Sequence, residues 1–252
     1  MKIVTWNVNS LKVRLAHVLE YLEKEQPDVL ALQETKQQDK DFPQTQLEEA
    51  GYHVQFSGQK TYNCVAIISR MPMSDVVFQI PELDDPQRRV VAATIDGVRV
   101  IDVYIPNGQE VGSDKYAYKL TWLNALREYL KAELQQHDKL VLLGDYNIAP
   151  ADLDIHDPSR WVEKIMCSTV EREWFSSLMD LGLYDTLRQL YPDEAMHSWW
   201  DYRVNAYRRG WGIRIDHILA TPNMLVKEGG VHTDYRAKER PSDHAPVWTR
   251  FS

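Results

Sequence analysis

Val90-Val-Ala-Ala-Thr-Ile-Asp-Gly-Val-Arg-Val-Ile-Asp-Val-Tyr-Ile105 is the stretch on which the fold turns. Its Val- and Ile-rich runs, Val90 to Ile95 and Val98 to Ile105, read as two strands with no helix between them. Similar runs lie on either side, at Lys2 to Val8, Val29 to Gln33, Val65 to Ser69, Leu140 to Gly144, Ile213 to Leu219 and Ala245 to Trp248. Helical periodicity separates some of them. Leu11, Leu15, Val18, Leu19 and Leu22 fall on one helical face, with Ser10 placed to cap it, and Leu120, Leu123, Leu126, Leu130 and Leu134 fall on another. A third helix is expected after the capping box Ser168-Thr-Val-Glu171, with Trp174, Phe175, Leu178 and Leu181 as its apolar stripe. Because strands follow one another without helices from His53 to Ile105, the order is not the alternation of a simple parallel sheet. The pattern implies an α+β chain in which two packed, mixed β-sheets are flanked by helices.

The chain has 252 residues, 44% of them hydrophobic, which suffices for a buried core in one domain or two small ones. Its two cysteines, Cys64 and Cys167, make no disulfide framework, which favours a reducing compartment. The first residues have a strand pattern instead of the apolar run of a signal peptide. No later segment stays apolar for long enough to span a bilayer, so a cytoplasmic protein is expected. A formal charge of -8 argues mildly against a polyanionic partner. Basic residues nonetheless gather locally at Arg88 and Arg89, at Arg203, Arg208 and Arg209, and at Arg236, Lys238 and Arg240, and each group alone reads as a solvated face. Gly, Pro and Asp from Asn107 to Asp114 and from Ala149 to Ser159 mark long loops, the segments that tend to carry function.

Polar residues stop these apolar runs. In Thr5-Trp-Asn-Val-Asn9 the two-residue period sends Asn7 and Asn9 to one side at a strand's carboxyl end. Leu140-Val-Leu-Leu-Gly-Asp145-Tyr-Asn147 ends as abruptly in an acid and an amide, and Tyr104 shares a side with Asp102. Turn and cap preferences account for Asn7, Asn9 and Asn147 taken singly. Glu34 differs: closing the run Val29-Leu-Ala-Leu-Gln33, it would be partly buried and needs a partner, which a cation would supply. Asp216 sits inside the apolar run Ile213 to Leu219, while Asp243 and His244 precede the last strand. An aspartate that orients His244 would fix its tautomer, and the residues alone leave open which aspartate does so. If the strand ends converge, the site holds Glu34, Asp145, Asp216, Asp243 and His244 with Asn7, Asn147 and Tyr104. Hard oxygen donors without thiolates suit Mg2+ or Mn2+ better than zinc. Such a set suits metal-assisted hydrolysis of a phosphodiester, with a carboxylate taking the proton of the attacking water.

Seven blocks follow one another along the chain: Thr5-Trp-Asn-Val-Asn9, Leu32-Gln-Glu-Thr-Lys36, Tyr104-Ile-Pro-Asn-Gly108, Gly144-Asp-Tyr-Asn-Ile-Ala-Pro150, Ser198-Trp-Trp-Asp-Tyr-Arg203, Arg214-Ile-Asp216 and Pro241-Ser-Asp-His-Ala-Pro246. In these blocks, over nearly its whole length, the chain resembles the exonuclease III and abasic-site endonuclease family of the DNase I-like superfamily. The resemblance implies one catalytic domain over 1–252, built as a four-layer α/β-β/α sandwich with its active site at one end. It also implies that Glu34 binds the metal with support from Asn7 and Asn9, and that Asp145 positions or deprotonates the water with help from Asn147. Asp216 would pair with His244, His244 and Tyr104 would contact the phosphate, and Asp243 would lie near the metal or the water. Trp199, Ile213 and Ile215 would line a pocket for an extrahelical sugar, although they read about equally well as plain core. Lys36, Tyr62, Arg89 and Asn107 would touch the DNA backbone without reading sequence. Two features depart from relatives. Cys64 stands in Tyr62-Asn-Cys-Val where relatives commonly have a glycine that permits close backbone approach. The loop from Asp154 to Ser168, with Trp161 and Met166, is variable in kind and could tune which end or lesion is accepted.

The expected activity is thus a Mg2+-dependent phosphodiesterase that repairs double-stranded DNA at an abasic site, a nick or a 3' end, as a monomer and away from membranes. Abasic incision with 3'-end trimming is the favoured form. A phosphatase or phosphodiesterase acting on a phosphoinositide or sphingolipid is the enzymatic alternative, against which the Ser198 and Gly144 blocks argue. An inactive DNA-binding module is the third reading; it predicts a broken catalytic set, whereas every expected acid, amide, Tyr and His is present.

Overall fold

Val90–Ile95 and Val98–Tyr104 pair antiparallel in the computed structural model, which describes residues 1–59 and 63–252. They turn through Asp96 and Gly97, whose φ of 48° and 75° meet the positive-φ demand of a two-residue hairpin loop. In chain order the elements are β1 (Lys2–Asn7), α1 (Leu11–Glu25), β2 (Val29–Gln33), α2 (Gln44–Glu49), β3 (His53–Ser57), β4 (Val65–Ser69), β5 (Met73–Val77), β6 (Val90–Ile95), β7 (Val98–Tyr104) and α3 (Asp114–Gln136). There follow β8 (Leu140–Asp145), α4 (Thr169–Asp180), β9 (Tyr184–Asp185), α5 (Thr186–Leu190), β10 (Asp216–Ala220), β11 (Val226–Val231) and β12 (Val247–Phe251). They form two six-stranded sheets, ordered β11-β12-β1-β2-β4-β3 and β5-β6-β7-β8-β10-β9. Each sheet is antiparallel apart from one parallel pair at its centre, β1 with β2 and β7 with β8.

Strand alternation sorts the core into layers. Ile3, Val29, Ala31 and Ile67 of one sheet meet Val91, Val100, Val141, Leu143 and Ile218 of the other between the sheets. The opposite faces pack outward: Val4, Trp6, Leu30 and Leu32 against Leu11, Val18 and Leu22 of α1, and Ile101, Val103, Leu140 and Leu142 against Leu123, Leu126 and Leu130 of α3 with Trp174, Phe175 and Leu178 of α4. This is the expected sandwich of two mixed sheets flanked by helices. Among the described residues, no helix is long and apolar enough to cross a membrane.

Local expectations fare differently. Ser168 does cap α4, its side chain accepting from the Glu171 amide within the capping box. Ser10 does not cap α1: its φ of 94° turns the side chain away from the helix and it makes no capping bond. The apolar run at Ile213 enters the sheet only at Asp216, because Ile213 bridges instead to Ile155 and Trp199 in the neighbouring loops. The last strand begins at Val247, after Pro246, whose missing N–H removes a ladder donor.

Candidate active site

The two central parallel pairs send the carboxyl ends of β1, β2, β7 and β8 to the same end of the sandwich. Asn7 shares its side of β1 with Ile3, and Asp145 shares its side of β8 with Val141 and Leu143, so both point between the sheets at the last position of the layer. They meet there: Asn7 Nδ2 donates to Asp145 Oδ2 at 2.9 Å. Tyr104 pairs in register with Asp145 on one side, and Asp216, first residue of β10, pairs with it on the other. Glu34 lies one residue beyond β2, where strict alternation would send it outward to α1. A left-handed φ of 52° swings it back, and its Oε1 accepts from Asn7 Nδ2 and Tyr104 Oη, each at 2.9 Å. Asn9, Lys36 and Asn147 share this positive-φ conformation, so the irregular backbone concentrates where the strand ends converge.

Asp216 faces His244. Nδ1 of His244 lies 2.9 and 3.1 Å from the two Asp216 oxygens, and Nε2 lies 3.8 Å from Asp145 Oδ2. Asp243 accepts from Asn9 Nδ2 at 2.9 Å and from Trp199 Nε1 at 3.0 Å. Asn147 donates its backbone N–H to Asp145 Oδ1 at 2.9 Å, and its side-chain oxygen accepts from Asn107 Nδ2 at 2.9 Å. Gly144 is required by packing, since a Cβ there would sit 1.9 Å from the Val103 carbonyl oxygen of the neighbouring strand.

Burial sets the protonation states. It pushes the Asp145 carboxyl up to about 7, against the pull of His244 and with the repulsion of Asp216. Burial alone would lower the His244 imidazole, but the carboxylates of Asp216 and Asp145 overturn that and raise it to about 10. For Glu34 burial favours the acid, yet the Lys36 ammonium, 2.8 Å from Oε2, with the Asn7 amide, holds it below the usual carboxylate range. The site is therefore an imidazolium beside crowded carboxylates. Ligand atoms of Asp145, Asp216 and His244 lie within 4.8 Å of one another, with Glu34 bonded to the same Asn7 amide as Asp145. Crowded oxygen donors that favour a proton in place of full charge would equally accept a hard divalent cation, so the donor chemistry fits one.

Residues 4–244 match the Endonuclease/Exonuclease/phosphatase family. The exodeoxyribonuclease III of Haemophilus influenzae is 35% identical over the full length of both chains. The chain belongs to this family. Its nucleases are metal-dependent. A 3' phosphatase from Neisseria, solved with a product DNA hairpin, is 54% identical over 100% of this chain and 99% of that one, with a TM-score of 0.99. An abasic endonuclease from Archaeoglobus fulgidus is 37% identical over 100% and 99% of the two chains, with a TM-score of 0.96.

Around this family centre the other expected site residues are spread unevenly. Trp199, Ile213, Ile215 and Asn107 line the same cavity of about 760 Å3 as Glu34, Asp145 and His244. Ile213 and Ile215 are only 0% and 2% exposed and pack against Met166, Ile155 and Ala149, so most of their surface is already core. Lys36 turns inward to Glu34 and to Asn9 Oδ1. Arg89 is buried, donating to the Tyr104 carbonyl at 3.0 Å with its guanidinium 4.7 Å from the Tyr104 ring centroid. Tyr62 lies outside the described residues. Cys64 takes a φ of 75°, the conformation that the glycine of relatives would adopt freely. Two serines that sequence reasoning did not single out support the site. Ser198 Oγ donates to Asp216 Oδ2 at 2.6 Å, and Ser242 Oγ donates to the Asn7 carbonyl at 2.7 Å. Their only signal was a place at or beside the head of two of the blocks.

Proposed function

We propose that this protein repairs DNA by metal-dependent hydrolysis of phosphate esters at damaged 3' ends, with incision beside abasic sites as a second activity of the same centre. The observation that carries the reading is the meeting, from both sheets, of Asn7, Glu34, Tyr104 and Asp145, joined by hydrogen bonds, with the bonded pair Asp216 and His244, whose Nε2 lies 3.8 Å from Asp145 Oδ2. Glu34, supported by Asn7, Asn9 and Asp243, would hold Mg2+, or Mn2+ in its place, and the ion when bound supplies Lewis-acid polarisation of the phosphate and neutralises its charge. Asp145, aimed by the Asn7 amide and the Asn147 N–H, takes the proton of the attacking water. His244, kept as imidazolium by Asp216, offers Nε2–H to a phosphate oxygen, and the Tyr104 hydroxyl, which lines the same cavity and donates to Glu34, would turn to the phosphate to do the same. Asn107 and Arg89 position the backbone of the duplex.

Preference for 3' ends rests on Met166. Its side chain, 5% exposed, packs on Ile213 and Ile215, where an extrahelical sugar would need open apolar surface. The similarity to the Neisseria 3' phosphatase supports the same preference, and that to the Archaeoglobus abasic endonuclease supports the second activity. A catalytic set complete within one chain supports a single-domain monomer, and a sequence with two cysteines supports a reducing, cytoplasmic setting.

The test offers the protein three duplexes, carrying a nick with a 3' phosphate, an intact recessed 3' end or an internal abasic site, each with Mg2+ and with chelator. Metal-dependent release of phosphate from the first should be fastest, and Met166→Gly should raise abasic incision by about 10-fold or more, the scale of a reopened apolar pocket. Turnover of a soluble phosphate ester with no cleavage of any duplex would overturn the reading.

A further inference from the structure

A charged pair that touches none of the reacting groups lies beneath the site. Lys119 of α3 and Glu171 of α4 are both 0% exposed and ion-paired with each other. Desolvating two charges is costly, and an apolar pair of similar volume is often as stable, so the pair calls for a reason beyond stability. The ammonium's other contacts supply one. Nζ of Lys119 donates to the Asn147 carbonyl at 2.8 Å and to the Asn107 carbonyl at 3.2 Å, which with Glu171 uses its whole complement of three protons. These two carbonyls belong to the loops after β8 and β7, whose side-chain amides bond each other and whose Asn147 N–H aims Asp145. Glu171 faces the other way, accepting from the Met166 amide at 3.1 Å and from the Ser168 amide and hydroxyl at 3.1 and 2.7 Å.

We propose that Lys119 and Glu171 are positioning residues that lock the catalytic loops carrying Asn107 and Asn147 to the substrate-pocket loop that carries Met166 and ends at Ser168. Loops at the rim of a sandwich lack a sheet ladder for their carbonyls. A buried ammonium binds two of them from different loops at once, which no apolar side chain can do. Asn147 holds a φ of 49° and Met166 one of 70°, conformations that persist only when neighbours impose them, and the pair contacts the backbone of both. The consequence is a mechanical link: a displacement of the pocket loop reaches the carboxylate that activates water through Glu171, Lys119 and Asn147. The inference rests on the roles given above to Asp145 and Asn147.

The test compares wild type with Lys119→Met and with the double variant Lys119→Met, Glu171→Gln, which leaves no unpaired buried charge and keeps one side-chain oxygen as acceptor for either the Met166 or the Ser168 amide. Two readouts are taken: kcat and KM on the 3'-phosphate duplex, and hydrogen exchange followed by mass spectrometry. The double variant should lose about 10- to 100-fold in kcat, as supporting residues of a site do, with KM within about 3-fold of wild type. Exchange should quicken in peptides covering 105–108, 145–149 and 165–168 and stay unchanged in β1, β2 and β7. An unchanged kcat, or exchange that quickens throughout both sheets, overturns the proposal, the second outcome marking a general structural role. If wild type cleaves no duplex, the proposed function has failed, and the exchange pattern alone decides whether the loops are locked by the pair.

Discussion

Replacing Asp216 with Asn removes one formal charge from the site and nearly no volume. In the wild type the His244 ring is 4% exposed, so burial should favour the neutral form, yet its pKa stands at about 10 against an ordinary 6.5. The shift corresponds to about 5 kcal/mol in favour of the imidazolium. The Asp216 carboxylate, 2.9 Å from Nδ1, is the largest of the charges that overcome burial. Asp145 lies farther off, 3.8 Å from Nε2, and although losing the repulsion of Asp216 eases its ionisation, burial still opposes it, so it replaces Asp216 only in part. In Asp216→Asn, burial should therefore prevail and the ring should lose its proton near or below pH 7. Without a cationic donor aimed at the phosphate, the transition state loses about 3 to 4 kcal/mol, or about 10^2- to 10^3-fold in kcat. Two measurements check this. Nitrogen-15 shifts of the His244 ring, followed from pH 5.5 to 8.5 in metal-free protein, should report imidazolium throughout in wild type and neutral imidazole above pH 7 in the variant. Steady-state kcat on the 3'-phosphate duplex at pH 7.5 should fall by the stated factor. A ring still protonated at pH 8 in Asp216→Asn, or a kcat loss below about 10-fold, would refute the assignment of charge to His244.

Two further predictions concern buried groups behind the site. His217 donates Nε2–H to the Ile148 carbonyl at 2.8 Å, and burial, then the Arg214 charge, holds its pKa down at about 4. A folded pKa below the unfolded 6.5 gives stability that is present above pH 6.5 and lost as pH falls toward 4, in all about 3 kcal/mol. Phe can occupy the slot between the Tyr146 and Phe175 rings, so the urea-midpoint advantage of wild type over His217→Phe should shrink steadily from pH 7 to pH 4, and a constant difference would contradict it. Asp102 is wholly buried, and burial drives its pKa well above the ordinary value against bonds from the Gln33 amide and the Val103 N–H. A raised carboxyl pKa contributes stability that is full below pH 3.8 and lost as pH rises toward the folded value, so Asp102→Asn should melt higher than wild type at pH 8. A gain of about 1 kcal/mol would show as about 2 to 4 °C, with a smaller difference at pH 5; a lower Tm for the variant at pH 8 would count against it.

How much of this was legible in the chain depends on how each residue reaches the site. Asn7, Tyr104 and Asp145 arrive by strict alternation along buried strands, so the two-residue period was enough to aim them at a common face. Glu34 arrives against that period, through a left-handed backbone, and only its cost as a buried acid gave it away. β5, β9 and β11 carry no apolar run because each is a sheet edge, where Ser74, Asp75, Lys227 and Glu228 are tolerated and discourage further pairing. The partner of His244 was open because Asp216 lies 28 residues away, on a strand of the other sheet. Lys119 and Glu171 lie three or four residues from Leu123 and from Trp174 and Phe175, on the buried faces of their helices, but nothing in the sequence pairs two residues 52 positions apart.

The acidity of the chain, which by itself speaks against a polyanionic substrate, becomes intelligible once charge is counted locally. Four carboxylates, Glu34, Asp145, Asp216 and Asp243, face two cations, Lys36 and His244, so with Asp145 ionised the centre is two charges negative. A phosphate cannot approach such a centre favourably until that deficit is cancelled, and one divalent ion supplies the required charge. The same deficit explains why Asp145 is hard to ionise in its absence. The ion's arrival would lower that carboxyl's pKa, and a water-activating base would become available only when the site is ready for its anionic substrate. Metal dependence is in this sense a property of the carboxylate arrangement: the groups that give the site its chemistry also make it repel the substrate until the cation is bound.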